Sequence, residues 1–367
     1  MSCNEVRRER LHLQRMSGYV PGTQAGPDTI KLNTNENPFP PSPRVIEALA
    51  HIAERSLQRY PDPLATGFRE AVAELHQIGP EEVIATNGGD ELLRLAMTTF
   101  LDPGRPLGVV SPSYGVYAVL AGIHQSRLSI SPLDEHWALP SDTAQRWNAE
   151  GVQLAILTNP HAPSGYLTAP DRLERLAADF NGVLLIDEAY ADFIVPALKF
   201  DSAAIATRFP NVLVLRTLSK GYGLAGLRLG YGIGSRALIA PLLTKTKDSY
   251  NVDSIAQVLG TVALQDQEYS QKTWDEVRNE RLKLAEGLSA LGFSVLPSQA
   301  NFLLAAVPTS MPVETARVLA RSLEVAGIYV RWFDEDRLCD KLRITVGTRE
   351  ENIALLSKIA ELLTVVR

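Results

Sequence analysis

Between residues 81 and 219 the chain repeats one alternation, and it restricts the possible folds more than any other feature. Short apolar runs occur at "EEVIATN", "PLGVVSP", "VQLAILTNP", "GVLLIDEAY" and "NVLVLRTL". Between them lie stretches with helical spacing, "GDELLRLAMTTFL", "YGVYAVLAGIHQ" and "APDRLERLAADF". Runs that are apolar throughout, not at every second residue, belong to strands covered on both faces. With helices between them they predict an α/β fold with a mainly parallel, doubly wound sheet. In such sheets ligands sit beyond the carboxyl ends of the strands. Asn159, Asp187 and Lys220 fall at such ends.

The 367 residues are long for one core, so two packed units are expected. Before the alternation, "MSCNEVRRERLHLQRM" reads as an amphipathic helix and "GYVPGTQAGPDTIKLNTNENPFPPSP" as an extended arm with a short strand at 30–32. Ser42 followed by Pro43 reads as the capped start of a helix. After about Asp253 come a long helical stretch, "FSVLPSQANFLLAAV", another helix, "IYVRWF", "KLRITVG" and a last helix, which together read as a smaller α+β unit. The expected organisation is an arm over 1–45 that completes the smaller domain, a large domain over 46–255, and a C-terminal domain over 256–367. A net charge of -6 disfavours nucleic acid as the partner, and two cysteines are too few for a disulfide framework. No apolar run reaches the ~20 residues of a membrane span. A cytoplasmic protein with small-molecule partners, no nucleic acid, no membrane and no metal is the expectation.

The stretch "VLVLRTLSKGYGLAGLRLG" places Lys220 between a core strand and a glycine-rich loop. By itself that describes a surface lysine, but four neighbouring features change its meaning. Asp187 ends an apolar strand, where a carboxylate either caps the next turn or meets a cation; Tyr190 lies three residues on. Gly88 and Gly89 open a helix directly after a strand, an arrangement that presents N–H groups to an anion, with Asp90 beside them. Thr217, Ser219 and Arg228 suit a phosphate monoester. Tyr114 follows a strand and Pro112, where its ring either packs or stacks on a planar ligand. The set fits a phosphorylated pyridine that forms an imine with a lysine, which is pyridoxal 5′-phosphate.

The chain resembles the fold-type I pyridoxal-phosphate aminotransferases and, among them, the histidinol-phosphate aminotransferase family. The resemblance covers nearly the whole length through "RMSGYVPGTQ", "KLNTNENPFPPSPRVIEAL", "RYPDP", "NGGDELL", "DEAYADF", "RTLSKGYGLAGLRLGYGIG", "YNVDSIAQ" and "LRITVGTREEN". It implies a large domain with a mainly parallel seven-stranded sheet between helices and a smaller α+β domain. Lys220 is then the catalytic lysine, and Asp187 pairs with the pyridine nitrogen. Tyr190 reaches the ring's 3′-oxygen, Tyr114 stacks on the ring, and Asn159 belongs to the cofactor-binding set. Gly89, Asp90, Thr217, Ser219 and Arg228 hold the phosphate. Tyr60 reaches the phosphate held by a second subunit, which implies a homodimer with shared sites. Arg343 clamps the substrate carboxylate, Arg331 takes a substrate phosphate, and Tyr19 and Asn37 cover the substrate.

One motif departs from the family. The usual Asn-Pro-x-Asn-Pro-Thr-Gly is "NPHAPSG" here, so Ala162 stands where an asparagine amide normally serves the 3′-oxygen. His161 is expected to face solvent. The implied reaction interconverts histidinol phosphate and 2-oxoglutarate with imidazole-acetol phosphate and glutamate, in histidine biosynthesis. The alternatives are an aminotransferase for aromatic or other amino acids and a decarboxylase acting on a phosphorylated amino acid.

Overall fold

The computed structural model describes residues 8–24, 26, 28–54 and 57–366. Its strands, in chain order, are β1 (Ile30–Lys31), β2 (Val83–Thr86), β3 (Leu107–Ser111), β4 (Leu128–Pro132), β5 (Leu154–Thr158), β6 (Val183–Asp187), β7 (Val212–Thr217), β8 (Gly230–Gly234), β9 (Ser294–Val295), β10 (Phe302–Ala306), β11 (Ile328–Tyr329), β12 (Arg331–Trp332) and β13 (Lys341–Thr345). Seven of them form one sheet in the order β2-β8-β7-β6-β5-β3-β4. The sheet is parallel except at β8, which runs antiparallel to both of its neighbours.

The apolar runs are buried on both faces because side chains alternate across a strand. Ala155, Leu157, Leu184, Ile186, Val212 and Val214 join the core on one face. Leu154, Ile156, Leu185, Leu213 and Leu215 join the core on the other. The sequence reading names neither β4 nor β8. β8 reads Gly-Tyr-Gly-Ile-Gly, and its first two glycines, Gly230 and Gly232, face the helix Gly88–Phe100. A Cβ at Gly232 would lie 2.8 Å from Leu92. Close packing under that helix therefore removes the side chains by which a strand is recognised.

The second half is built on a four-stranded antiparallel sheet, β12-β13-β10-β9. The helices Gln267–Ala290, Thr315–Val325 and Arg349–Val366 share an apolar core with it. The helical stretch expected after Asp253 is interrupted at Asp266, which has non-helical backbone angles and accepts a hydrogen bond from Ser42 Oγ. Ser42 also caps its own helix, Pro43–Ala50, by accepting from the backbone N of Arg44.

The N-terminal arm belongs to this half. β1 pairs in parallel with β11, Leu32 N donates to Tyr329 O at 2.8 Å, and Thr345 N donates to Leu32 O at 2.9 Å. Leu32 is 1% exposed, and burying such a side chain contributes about 1.5–3 kcal/mol, so the arm is anchored. The helix expected over 1–16 lies partly outside the described residues. In the described part there is a single 3-10 turn, Leu13–Arg15. Among the described residues no helix is long and apolar enough to cross a membrane.

Candidate active site

A cavity of about 510 Å³ opens at the carboxyl ends of the parallel strands. Three of the strand ends converge there through Thr158, Asp187 and Thr217, and the arm and the smaller sheet form the opposite wall.

Lys220 lies in the turn after β7, half-buried, and its Nζ donates to Thr34 O at 2.9 Å. Burial, and next the positive charge of Arg343, pull its pKa down to about 8. Roughly a tenth of the amine is therefore unprotonated at pH 7, far more than for an ordinary lysine, as a nucleophile and proton carrier requires. A buried ion-pair network supports this turn. Arg216 of β7 bridges Asp192 at 2.5 Å and Glu188 at 3.4 Å. The Asp192 carboxylate occupies the space that a side chain at Gly221 would need.

Asp187 ends β6 and is 5% exposed. Its Oδ2 accepts from the Tyr117 hydroxyl at 2.6 Å and its Oδ1 from Ala189 N at 3.1 Å. Burial raises its pKa to about 6, and the Tyr117 bond works in the opposite direction. Tyr117 is absent from the sequence reading. It lies in the first turn of the helix Val116–Ile123, and its backbone N donates to Tyr114 O at 3.1 Å, which brings the two rings together. The ring of Tyr114 is held between Tyr117 (5.5 Å, 87°) and Tyr19 (5.3 Å, 71°), both edge-on.

On the helix-start side, Arg228 has a left-handed backbone (φ 53°) and donates to Ser219 Oγ at 3.2 Å. Ser219 N donates to Thr217 Oγ1 at 3.1 Å. Asp90 Oδ2 lies 4.0 Å from the Arg228 guanidinium. A Cβ at Gly88 would stand 2.8 Å from that guanidinium, so glycine is what lets the arginine lie over the helix start. Gly88 also has φ 75°, which disfavours any other residue.

On the opposite wall, Arg331 of β12 and Arg343 of β13 are directly paired across the strands. Like charges facing each other in a sheet are destabilising. Neither arginine has a carboxylate partner among the described residues, and both guanidinium groups lie near the ring of Phe333, at 5.4 and 5.5 Å. Arg343 Nη2 donates to Asn33 O at 2.9 Å, and Arg331 Nη2 to Val20 O at 3.3 Å.

Three expected site residues do not face this cavity. Asn159 is fully buried; its amide accepts from Thr168 N at 2.7 Å and donates to Thr168 O at 3.3 Å, so it braces the loop that follows β5. Asn37 donates to Gly221 O at 2.8 Å and accepts from Phe39 N at 3.0 Å, tying the arm to the Lys220 turn. The asparagines of the arm that line the cavity are Asn33 and Asn35. Tyr60 is 79% exposed and stacks on Tyr250 with ring centroids 4.3 Å apart. His161 also differs from expectation: it is 2% exposed, not solvent-facing. Its Nε2 meets Pro112 O at 2.9 Å and its Nδ1 meets Ser164 Oγ at 2.7 Å. A carbonyl only accepts, so the proton sits on Nε2 and Nδ1 accepts from the serine. Burial lowers the pKa to about 4, which keeps the ring neutral.

Pyridoxal phosphate fits this set of groups. A buried carboxylate that takes only neutral donors suits a protonated ring nitrogen. The glycine helix start with Ser219, Thr217 and Arg228 suits a phosphate. Ser113 Oγ and Arg343 Nε are buried on the cavity wall without a hydrogen-bond partner among the described residues.

A family model described as aminotransferase class I and II matches residues 27–359. The chain is 40% identical over 356 residues to histidinol-phosphate aminotransferase 1 of Trichormus variabilis, covering 96% of this chain and 98% of that one. It is 39% identical over 355 residues to the histidinol-phosphate aminotransferase of Syntrophotalea carbinolica, covering 96% and 99%. Among solved structures, histidinol-phosphate aminotransferase from Sinorhizobium meliloti in complex with pyridoxal-5′-phosphate superimposes with a TM-score of 0.90 at 23% identity, over 100% of both chains. Thermus thermophilus aspartate aminotransferase with maleate gives 0.79 at 23%, over 91% of each.

Proposed function

The chain belongs to the class I and II aminotransferases, and from that premise we propose that it is a pyridoxal-phosphate transaminase that interconverts histidinol phosphate and 2-oxoglutarate with imidazole-acetol phosphate and glutamate. The observation that carries this reading is the pair Arg331 and Arg343, directly opposite on neighbouring strands, facing Lys220 across the cavity without acidic partners. A transaminase of this kind admits two anionic substrates in turn, a phosphate monoester and a dicarboxylate. Two guanidinium groups suit that alternation. Relatives that carry the histidinol-phosphate aminotransferase name at about 40% identity support the same substrate.

When bound, pyridoxal phosphate supplies a conjugated ring that accepts the electron pair left at the substrate's Cα. Every other task falls to the chain. Lys220 would hold the cofactor through its Nζ and, once a substrate amine had taken its place there, would carry the Cα proton. Asp187 keeps the ring nitrogen protonated, and Tyr117 holds that carboxylate in place. Tyr190 donates to the 3′-oxygen and Tyr114 covers the ring. Gly89, Asp90, Thr217, Ser219 and Arg228 hold the phosphate. Arg343 takes a substrate carboxylate, Arg331 a substrate phosphate, and Tyr19 closes the mouth.

Residues 46–255 form the cofactor-binding domain, and 256–367 with the arm form the substrate-side domain. The enzyme works in the cytoplasm as a homodimer, in which the exposed Tyr60 of each subunit completes the phosphate site of the other. The test is a half-reaction screen: holoenzyme is mixed with single amino donors while the cofactor's absorbance is followed. Glutamate and histidinol phosphate are expected to convert it to the pyridoxamine form fastest. A faster conversion by aromatic amino acids, or release of carbon dioxide, would reject this substrate assignment.

A further inference from the structure

Ala162 leaves the ring side of the cavity short of one donor. Its methyl packs with Ala300, Phe302 and Tyr190, and Tyr190 stands edge-on to Phe302 at 5.0 Å. The Tyr190 hydroxyl receives a hydrogen bond from elsewhere: Asn35 Nδ2, from the arm, at 3.1 Å.

Asn35 is unusually constrained. It is 2% exposed and has a left-handed backbone, φ 57°, which asparagine tolerates better than most residues. Its backbone N donates to Thr345 Oγ1 at 3.0 Å, and Thr345 Oγ1 donates back to Asn35 Oδ1 at 3.2 Å. Asn301 Nδ2 donates to Asn35 O at 3.0 Å. The threonine proton needs an acceptor, and this turns Oδ1 toward Thr345 and Nδ2 toward Tyr190. A hydroxyl that accepts an N–H points its own proton elsewhere. Among the described residues no group accepts the Tyr190 proton, and Tyr190 and Asn35 both line the cavity.

We propose that Asn35 is a positioning residue whose amide fixes the Tyr190 O–H toward the cavity, so that Tyr190 alone serves the cofactor's 3′-oxygen where the loop offers only the methyl of Ala162. This rests on the assignment of Tyr190 to that oxygen made above. The arm thus does from 127 positions upstream, and through another residue, what the loop does directly when it carries an amide. Arg343, Asp187, Tyr19 and Tyr114 are charged and titratable groups around Tyr190, and Arg343, Glu36, Arg228, Lys31 and Asp187 are those around Lys220; none of them changes in the variants below.

The experiment is a spectrophotometric pH titration of the Lys220–cofactor linkage in the holoenzyme. A donor to the 3′-oxygen weakens that oxygen's hold on the linkage proton, so losing the donor raises the linkage pKa. Tyr190→Phe is expected to raise it by about one unit. Asn35→Gly keeps the left-handed backbone, removes only the amide, and is expected to raise it by roughly half as much. Asn35→Asp puts an acceptor opposite the hydroxyl, turns its proton away from the cavity, and is expected to raise it more than Asn35→Gly. In a Tyr190→Phe background Asn35→Gly is expected to add nothing. An unchanged pKa in Asn35→Gly, or an equal shift in both backgrounds, overturns the proposal and leaves the Tyr190 assignment standing. An unchanged pKa in Tyr190→Phe overturns the assignment and the proposal with it.

Discussion

The two walls of the cavity are built differently. The wall that carries Asp187 and Lys220 is made of strand ends and the turns directly after them. Asp187 and Thr217 close β6 and β7, and Lys220 follows three residues later. Their positions are set by a sheet whose neighbouring strands are hydrogen-bonded along their length. The opposite wall is assembled from pieces remote in sequence: Tyr19 and Asn35 from the arm, Arg331 and Arg343 from the smaller sheet. Its two arginines are each tied to the arm by a side-chain bond to a backbone oxygen, Arg343 to Asn33 and Arg331 to Val20, whereas Asn35 is fixed by several bonds. The first wall is rigid where chemistry needs fixed geometry. In the second, neither arginine has an acidic partner among the described residues, so both guanidinium groups are left to anionic ligands.

The division predicts unequal consequences for substitutions in the two walls. Lys220→Ala is expected to lower turnover by at least about three orders of magnitude. Cofactor is still expected to be retained through the phosphate groups, which absorbance after dialysis would measure. Turnover within tenfold of wild type would break the assignment of chemistry to the first wall. Arg343→Gln is expected to lower kcat/KM for glutamate by about two orders of magnitude. It also couples the walls. Arg343 is the charge that most depresses Lys220, so its removal should move the lysine pKa up from about 8. The rate of cofactor uptake by the apoenzyme would then rise at higher pH than in wild type; an unshifted profile would make the walls electrostatically independent.

Tyr117→Phe tests the first wall at its second layer, and about a tenfold loss of activity is expected from one hydrogen bond to a charged group. The bond stabilises the Asp187 anion, so losing it raises that pKa above about 6. The pH below which the apoenzyme binds cofactor poorly should therefore rise, which an equilibrium titration reads directly. The smallest effect concerns whether two walls suffice. Mixing Tyr60→Ala with Lys220→Ala subunits should raise activity to roughly a quarter of wild type, because half of the dimers are mixed and each has one intact site. No gain despite subunit exchange would confine the whole site to one chain.

The same division explains what was readable in the sequence. Apolar strands followed by polar strand ends identify Asp187, Lys220 and the phosphate residues, because local pattern and site coincide there. β8 escaped because its recognition side chains are replaced by glycine for close packing. Tyr117 escaped because a tyrosine in an apolar helical stripe looks like core, and most of its surface is core: it is 2% exposed. In the arm the pattern cannot say which of two asparagines faces inward. Asn35 and Asn37 are separated by one residue, and only the left-handed turn at Asn35 decides. His161 was misjudged because nothing local shows that Pro112, far back in the chain, offers it a carbonyl.

The seating of the arm has a consequence for how the molecule comes into being. Asn35 reaches Thr345, and Arg343 reaches Asn33, each across 310 positions of chain. The arm leaves the ribosome 310 residues ahead of its seat. At about 5–20 residues per second the arm waits roughly a quarter of a minute to a minute for β13 to be made. During that interval the strands carrying Asp187 and Lys220 are already synthesised, together with the helix start that takes the phosphate. On the proposed roles, the growing chain carries the groups that hold a cofactor before it carries Arg331 and Arg343, the groups that choose a substrate.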